Sequence, residues 1–302
     1  MTAMMPVTMA IPTYNRGAIL VETIARLLAL EPRADAIVIA DQTRQHPPDV
    51  EQRLRAWNDE GAIRWLRLDA PSIPRSMNDA LVAATTPLVL FFDDDIIPAT
   101  DIVHAHAAAH ANAEIWAVAG QVLQPGQHPE NEQRATSNLE FRFNGTAGAF
   151  VNNVMAGNLS VKRDRALGIG GFDENFTGAA YRFETDFAMR IAAAGGKVWF
   201  EPKASLRHLA FSTGGLRSYG DHRSAPVPAH SAGDYYFALH HVPRFWPYAA
   251  RRLVHNVATR YLATHPWLIP GKLIGETRGL LLARELYRKG RRLRDVHAER
   301  PA

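Results

Sequence analysis

Short apolar runs alternate with helical-period segments through the first part of this chain, and that alternation constrains the fold more than any other feature. The runs are 7–12 (VTMAIP), 36–40 (AIVIA), 87–92 (PLVLFF) and 116–122 (WAVAGQV), with an alternating strand pattern over 63–68. Between them, apolar residues recur at helical spacing, as in Ile19, Ile24, Leu27 and Leu28, and helices are expected over 17–30, 48–60, 77–84 and 99–111. Unbroken apolar strands are those buried on both faces, so the pattern predicts an α/β fold with a mainly parallel sheet flanked by helices. Ligands of such sheets bind outside the carboxyl ends of the strands. The polar punctuation falls at those ends: Thr13-Tyr14-Asn15 after the first run, Asp41 after the second, and Asp93-Asp94-Asp95 after the third.

Further along, residues 125–153 are polar and without period, which suggests an excursion over the sheet edge. A strand is expected over 155–162, a short helix over 163–167, a helix over 184–194 stopped by Gly195-Gly196, and short strands over 197–200 and 204–208. Residues 212–233 are rich in Gly, Pro and Ser and read as a loop, with helical, aromatic sequence from 234 onward. The expected division is a sheet domain over 1–211 and a loop with a basic helical extension over 212–302. With 47% apolar and 21% charged residues in 302, the chain can bury a large core. It has no cysteine, which excludes disulfides, zinc–thiolate sites and iron–sulfur clusters. No apolar stretch of ~18 residues and no leader pattern is present, so a cytoplasmic protein is expected.

Three residue groups carry chemistry. In FFDDDIIP (91–98), three adjacent carboxylates leave a buried strand, an arrangement that a hard divalent cation would neutralise. Asp93 and Asp95, two apart on an extended exit, can approach one site; a helix N-terminus is the plainer explanation, but one aspartate would serve it. IPTYNR (11–16) is a strand-to-helix loop whose backbone N–H groups can hold a base or phosphate. In RFETDFAMRI (182–191), Glu184 and Asp186 open a helix and face different directions. One can act as a general base while the other caps the helix or pairs with Arg190, and the spacing does not choose between them. His208, at the end of a late strand, can be a metal ligand or an ordinary satisfied histidine.

FFDDDIIP, IPTYNR, AGNLSVKRDRALGIGGFDENF (156–176) and ETDFAMR (184–190), in this order, resemble family 2 glycosyltransferases over about residues 7–208. The resemblance implies the Rossmann-like GT-A fold and an inverting transfer from a nucleotide-diphosphate sugar, UDP or dTDP being expected, with Mg²⁺ or Mn²⁺. It implies nucleotide-side roles for Pro12, Thr13, Tyr14, Asn15, Arg16, Asp41, Asn78, Asp93 and Asp94. Asp93, Asp95 and His208 correspond to the metal site, with Asp95 the direct ligand and Asp93 nearer the ribose. Asn158, Gly171, Phe172 and Asp173 correspond to the acceptor-side floor, and Glu184, with Asp186 beside it, to the base. Three departures stand out: Asp41-Gln42-Thr43 lacks the family's second acid, Met77 replaces an arginine before Asn78, and Phe183-Glu184 replaces a Glu-Asp pair.

The net charge of +4 conceals an uneven distribution. Residues 244–302 hold 13 Lys and Arg against 4 Asp and Glu, giving +9, and the remainder carries −5. Aromatics and arginines on helices suit peripheral contact with an anionic membrane at its cytoplasmic face. They equally suit a helical subdomain packed on the sheet domain. The acceptor is expected to be a sugar, a lipid-linked group or a small molecule, as in cell-envelope polysaccharide, glycolipid or natural-product glycosylation. No nucleic-acid motif is present. The competing readings are a non-catalytic nucleotide-sugar-binding scaffold and a sugar nucleotidyltransferase; the second normally needs a Gly-rich loop, which residues 11–16 lack.

Overall fold

The computed structural model describes residues 4–131, 141–216, 227–228 and 230–295. The apolar runs form the centre of one sheet. In chain order the first elements are β1 (Val7–Thr13), α1 (Ala18–Leu28), β2 (Ala36–Asp41), α2 (Pro48–Asp59), β3 (Arg64–Arg67), α3 (Ile73–Ala83) and β4 (Leu88–Phe92). All of β4 is buried, as its apolar sequence requires. β1, β2, β3 and β4 pair in parallel, with Thr13 opposite Asp41 and Ala10 opposite Phe91. Their carboxyl ends therefore open at one edge.

The second half adds β5 (Ile96–Pro98), α4 (Ile102–Ala109), β6 (Ile115–Leu123), β7 (Ala149–Val151), β8 (Asn158–Lys162), α5 (Arg163–Gly168), α6 (Phe183–Ala193) and β9 (Lys197–His208). The strand order is β3-β2-β1-β4-β8-β6-β9-β5, with β7 also on β9. β8 runs antiparallel to β4 and β6, whereas β6 and β9 are parallel. Several details differ from the sequence expectation, among them β7 within the stretch expected to lack a period. α3 begins at Ile73, ahead of the expected 77, because Pro74 is tolerated in a first turn. The two late strands are one, β9, with an irregularity where β6 passes from Gly120 opposite Glu201 to Gln121 opposite Ser205. β5, too short to show a period, runs antiparallel to the end of β9 and sets Ile96 opposite His208. The expected excursion and loop, 125–153 and 212–233, lie partly outside the described residues.

A cluster of phenylalanines joins the sheet to α6. Phe172 stands edge-on to Phe91 at 5.6 Å between ring centroids, and lies 5.7 Å from Phe183 and 4.2 Å from Phe187. Burying each ring contributes on the order of 2 kcal/mol. Phe91 lies two residues before Asp93 and Phe183 directly precedes Glu184, so this packing fixes the roots of both carboxylates.

The extension consists of α7 (Ser231–His241), α8 (Phe245–Val257), α9 (Arg260–Thr264), a 3₁₀ turn (Pro266–Leu268) and α10 (Ile269–Lys289). Tyr235, Tyr236 and Phe237 of α7 belong to the main core. Beyond α10 the chain turns back along the 170–174 loop: the Arg294 N–H donates to Gly170 O, and the Glu174 N–H to Arg292 O, each at 2.9 Å. Arg291 pairs with Asp186 at 2.6 Å and Asp173 at 3.2 Å, and Arg294 with Glu174 at 2.7 Å and with Asp79. These arginines of the basic tail neutralise acids of the sheet domain.

Under β8 a directed chain of hydrogen bonds fixes two histidine tautomers. Asn158 Nδ2 donates to Gln121 O and Ala204 O, so its Oδ1 accepts from His106 Nε2 at 2.8 Å. His106 Nδ1 then accepts from Ser160 Oγ at 2.8 Å, and Ser160 Oγ accepts from His110 Nε2 at 2.9 Å. Burial pushes His106 down to about 4 and His110 down to about 3. An unfolded histidine titrates near 6.5, so below that pH the unfolded chain binds more protons and stability falls on acidification. The cost is up to about 1.4 kcal/mol per histidine per pH unit until the folded value is reached. Thermal melts between pH 7 and pH 5 are expected to show a smaller drop in Tm for His106→Gln than for the unaltered chain. An unchanged pH slope would contradict the burial of a neutral imidazole there.

Candidate functional site

The carboxyl ends of β1 and β4, the start of α6 and the end of β9 enclose a cavity of about 600 Å³. That is within the range of small-ligand sites. Its wall includes Pro12, Thr13, Tyr14 and Arg16 from the first loop, Asp93, Asp94 and Asp95, Glu184, and His208. The structure thus brings together residues more than 190 positions apart in the sequence.

Each aspartate of the triplet has its own surroundings. Asp93 is half-exposed and lies against Gly157, where a Cβ would meet its Oδ2 at 2.2 Å. Asp94 is buried, accepts a hydrogen bond from Thr13 Oγ1 at 2.7 Å, and pairs with Arg16 Nε at 2.9 Å. Burial pushes its carboxyl up to about 7 against the pull of Arg16 and Thr13. Asp95 is also buried. Its Oδ2 accepts from the Phe211 N–H at 3.0 Å, and its Oδ1 lies 3.1 Å from His208 Nε2. Burial alone would raise Asp95; His208 and Arg16 outweigh it and hold the carboxyl below its usual range.

His208 reaches this position because β5 pairs with β9. Its Nδ1 faces Gln124 Oε1 at 2.8 Å, which assigns the N–H to Nδ1 and aims Nε2 at the acids. Asp93 Oδ2 lies 3.8 Å from the same nitrogen. The Asp95 carboxylate beside Nε2, with Asp93 behind it, favours the doubly protonated ring and raises the His208 pKa. A divalent cation fits this donor set: two carboxylates and an imidazole nitrogen converge, and buried Asp95 Oδ1 has no well-aligned hydrogen-bond donor. Among the described residues, no three His or acidic side chains close into a complete metal cage. The remaining ligands would have to come from a bound diphosphate and water, which suits Mg²⁺ chemistry.

Arg16 does more than its place in the loop suggested. Its guanidinium spans Asp94 and Asp95, the latter at 3.7 Å, and donates to Phe211 O at 3.0 Å and Thr213 O at 2.8 Å. The Gly215 N–H donates to Tyr14 O at 2.8 Å. The segment after β9 is thereby tied to the first loop. Asn15 occupies the left-handed region at φ 55°, which Asn tolerates, and its N–H donates to Thr43 Oγ1.

Several expected site residues do not reach the cavity. Asn15 itself is off the wall. The Asp41 carboxylate is fully buried and accepts from the Thr43 N–H, His46 Nε2 and Trp65 Nε1, and Gln42 takes the wall position. Burial would raise Asp41, but these hydrogen bonds prevail and lower it. Asn78 clamps the 171–174 loop, exchanging hydrogen bonds with the backbone of Phe172 at 2.8 Å. Asn158 is spent on the histidine network. Gly171 and Phe172 are buried or backbone-engaged supports, and Asp173 accepts from Tyr236 Oη and the Arg292 N–H. Each of these residues is held by protein groups in this structure and lies off the cavity wall.

The structure also separates Glu184 from Asp186. Glu184 faces the cavity and accepts from the Ala156 N–H at 2.8 Å. Asp186 points inward to Arg190, His241 and Arg291 at 2.8, 2.7 and 2.6 Å. Burial opposes its ionisation, yet these partners hold it far below the carboxylate range. The candidate base is Glu184, and Asp186 is a structural anchor. Neither residue type nor spacing pointed to the wall residues Gln124 and Tyr181.

The glycosyl transferase family 2 model matches residues 8–186, more than half of the chain. The chain belongs to that family. Its fold is similar to that of GalNAc-T7 with UDP, GalNAc and Mn²⁺ (11% identity, TM-score 0.66, 98% of this chain and 60% of that one). It is also similar to the mannosyltransferase PcManGT from Pyrobaculum calidifontis with GDP-Man and Mn²⁺ (18%, 0.54, 96% and 80%). A third similar structure is S. aureus TarS 1-349 with UDP-GlcNAc (14%, 0.56, 78% and 66%). The chain spans 60% of the length of the GalNAc-T7 chain. No curated protein matched significantly.

Asp186→Asn is expected to cost about 3 kcal/mol or more in urea unfolding, because it leaves buried cations underpaired. Glu184→Gln is expected to change stability by less than about 1 kcal/mol. Equal losses would undo the separation of an anchor from a cavity-facing carboxylate.

Proposed function

We propose that this chain transfers a sugar from a nucleotide-diphosphate sugar to an acceptor hydroxyl, with inversion at the anomeric carbon. The observation that carries the reading is a single cavity wall bearing Asp93, Asp95 and His208 together with Glu184, in a member of family 2. UDP or dTDP is the proposed donor nucleotide. The uridine nucleotides in the GalNAc-T7 and TarS structures support it, and the GDP-Man of PcManGT marks the alternative. The proposed setting is the cytoplasm, with a sugar, lipid-linked or small-molecule hydroxyl as acceptor.

Asp95 and His208, with Asp93 beside them, are the residues to hold Mg²⁺ or Mn²⁺ against the diphosphate. Such an ion, when bound, supplies Lewis-acid stabilisation of the departing nucleotide diphosphate. His208 must be neutral to ligate, so its raised pKa makes cation binding favour higher pH. Glu184 removes the acceptor hydroxyl proton as that oxygen attacks the anomeric carbon from the face opposite the diphosphate. Its hydrogen bond from the Ala156 N–H fixes one carboxylate oxygen. A positioned base contributes roughly 10²–10⁴-fold in rate. Arg16, tied to Asp94 and to the segment after β9, keeps the first loop and that segment together at the cavity.

Thermal shift with UDP, dTDP, GDP and CDP, each with Mn²⁺ and then with EDTA, tests the donor site. A ligand at 100 times its dissociation constant is expected to stabilise by about 2.7 kcal/mol. Asp95→Ala should remove the metal-dependent shift, whereas Glu184→Gln should keep the shift and lose transfer. No shift with any nucleotide would contradict the donor site, a shift without any transfer or donor hydrolysis would favour a non-catalytic scaffold, and equal loss of nucleotide affinity in both variants would contradict separate roles.

A further inference from the structure

The helical extension carries an outer face that neither the core nor the site uses. α10 meets α7 along Gly275, Gly279 and Ala283, which are buried; at Gly279 a Cβ would strike Ser231 Oγ at 2.1 Å. Ile274 and Leu281, seven residues apart, therefore fall on the side away from α7, where they are 47% and 62% exposed. Trp246 at the start of α8 and Trp267 in the 3₁₀ turn are 60% and 70% exposed. Arg284 lies over the Trp246 ring at 5.9 Å, which places α8 and α10 on a common surface.

The exposed charge on this face is predominantly basic. Arg278, Arg284 and Arg288 are exposed on α10 among the apolar residues. The buried acids of the region are taken up internally, Asp234 by Arg182 and Arg252 and Glu276 by Arg252 and Lys272, while exposed Glu285 stays on α10, paired with Lys289. Exposed tryptophans and aliphatic residues interleaved with arginines suit the boundary between anionic head groups and acyl chains. A second copy on a two-fold axis would oppose arginines to arginines, because such an interface uses the same patch twice. A nucleic acid would leave Ile274 and Leu281 without a partner.

We propose that the α8–α10 face, with its adjoining 3₁₀ turn, docks on an anionic lipid surface. The arginines at 291–294, folded onto the sheet domain, are not the membrane contact; the outer face is. α7 joins this extension to the cavity, since Gly233 packs against the backbone of Tyr181, a wall residue. In function, the inference rests on the proposed transfer and makes the acceptor a lipid-linked hydroxyl; in measurement it is independent of transfer.

Flotation of the full chain with phosphatidylcholine vesicles, with and without roughly 30 mol % phosphatidylglycerol, is the test. Binding is expected only with the anionic lipid. It should fall roughly tenfold in Trp246→Ser/Trp267→Ser and in Arg278→Glu/Arg284→Glu. Tryptophan emission should shift to the blue on binding in the unaltered chain. Circular dichroism and the nucleotide thermal shift of the same variants report whether the fold and donor site are intact. If the variants fold but bind vesicles as the unaltered chain does, or if no vesicle is bound, the proposal fails. Light scattering that shows a dimer broken by the same substitutions would assign the face to a second copy and overturn it. Loss of the nucleotide shift with flotation retained would instead count against the transferase reading alone.

Discussion

Three adjacent carboxylates at the end of a buried strand repel one another, and the surrounding architecture offsets that repulsion in three different ways. Asp93 stays partly in water, Asp94 meets Arg16 and Thr13, and Asp95 meets His208, Arg16 and a backbone N–H. The three-residue strand β5 makes the last arrangement possible: by pairing with the end of β9 it sets His208 beside Asp95. Without that pairing the triplet would be a costly concentration of charge at the rim of the sheet. With it, two carboxylates and an imidazole share the wall of a cavity.

Behind the wall lies a second set of polar residues whose work is mechanical. Asn78 holds the 171–174 loop, Asp173 and Asp186 receive the returning C-terminal arginines, and Asn158 ties three strands through its amide. Each is buried, and each has its hydrogen-bonding capacity used by protein groups, so packing and charge compensation require it without any ligand. Through Arg291 and Arg294 the extension is therefore part of the support for α6, and so for Glu184, while the arginines of α10 remain exposed.

Much of the fold was legible because burial leaves a periodic trace. β1, β2 and β4 are continuous apolar runs, and α1, α2 and α6 lie within a few residues of their expected bounds. β5 left no trace because three residues cannot display a period, and β9 looked like two strands because its irregular middle breaks the alternation. The triplet was legible from residue type and position after a strand, whereas the first loop and His208 stayed open on those grounds and took their expected roles from the family resemblance. The choice between Glu184 and Asp186 was not legible, since both stand in the first turn of one helix and only their partners tell them apart.

The sequence by itself determined the class of fold, the edge of the sheet where polar groups gather, and the three carboxylates that stand there. These follow from local rules: hydrophobic period, strand ends and side-chain chemistry. Tertiary structure alone decided which acids face the cavity and which are buried anchors, and where the basic tail spends its charge. Those choices depend on groups far apart in the chain, Asp95 with His208 and Asp186 with Arg291, and a carboxylate's role is set by what lies within a few ångströms of it.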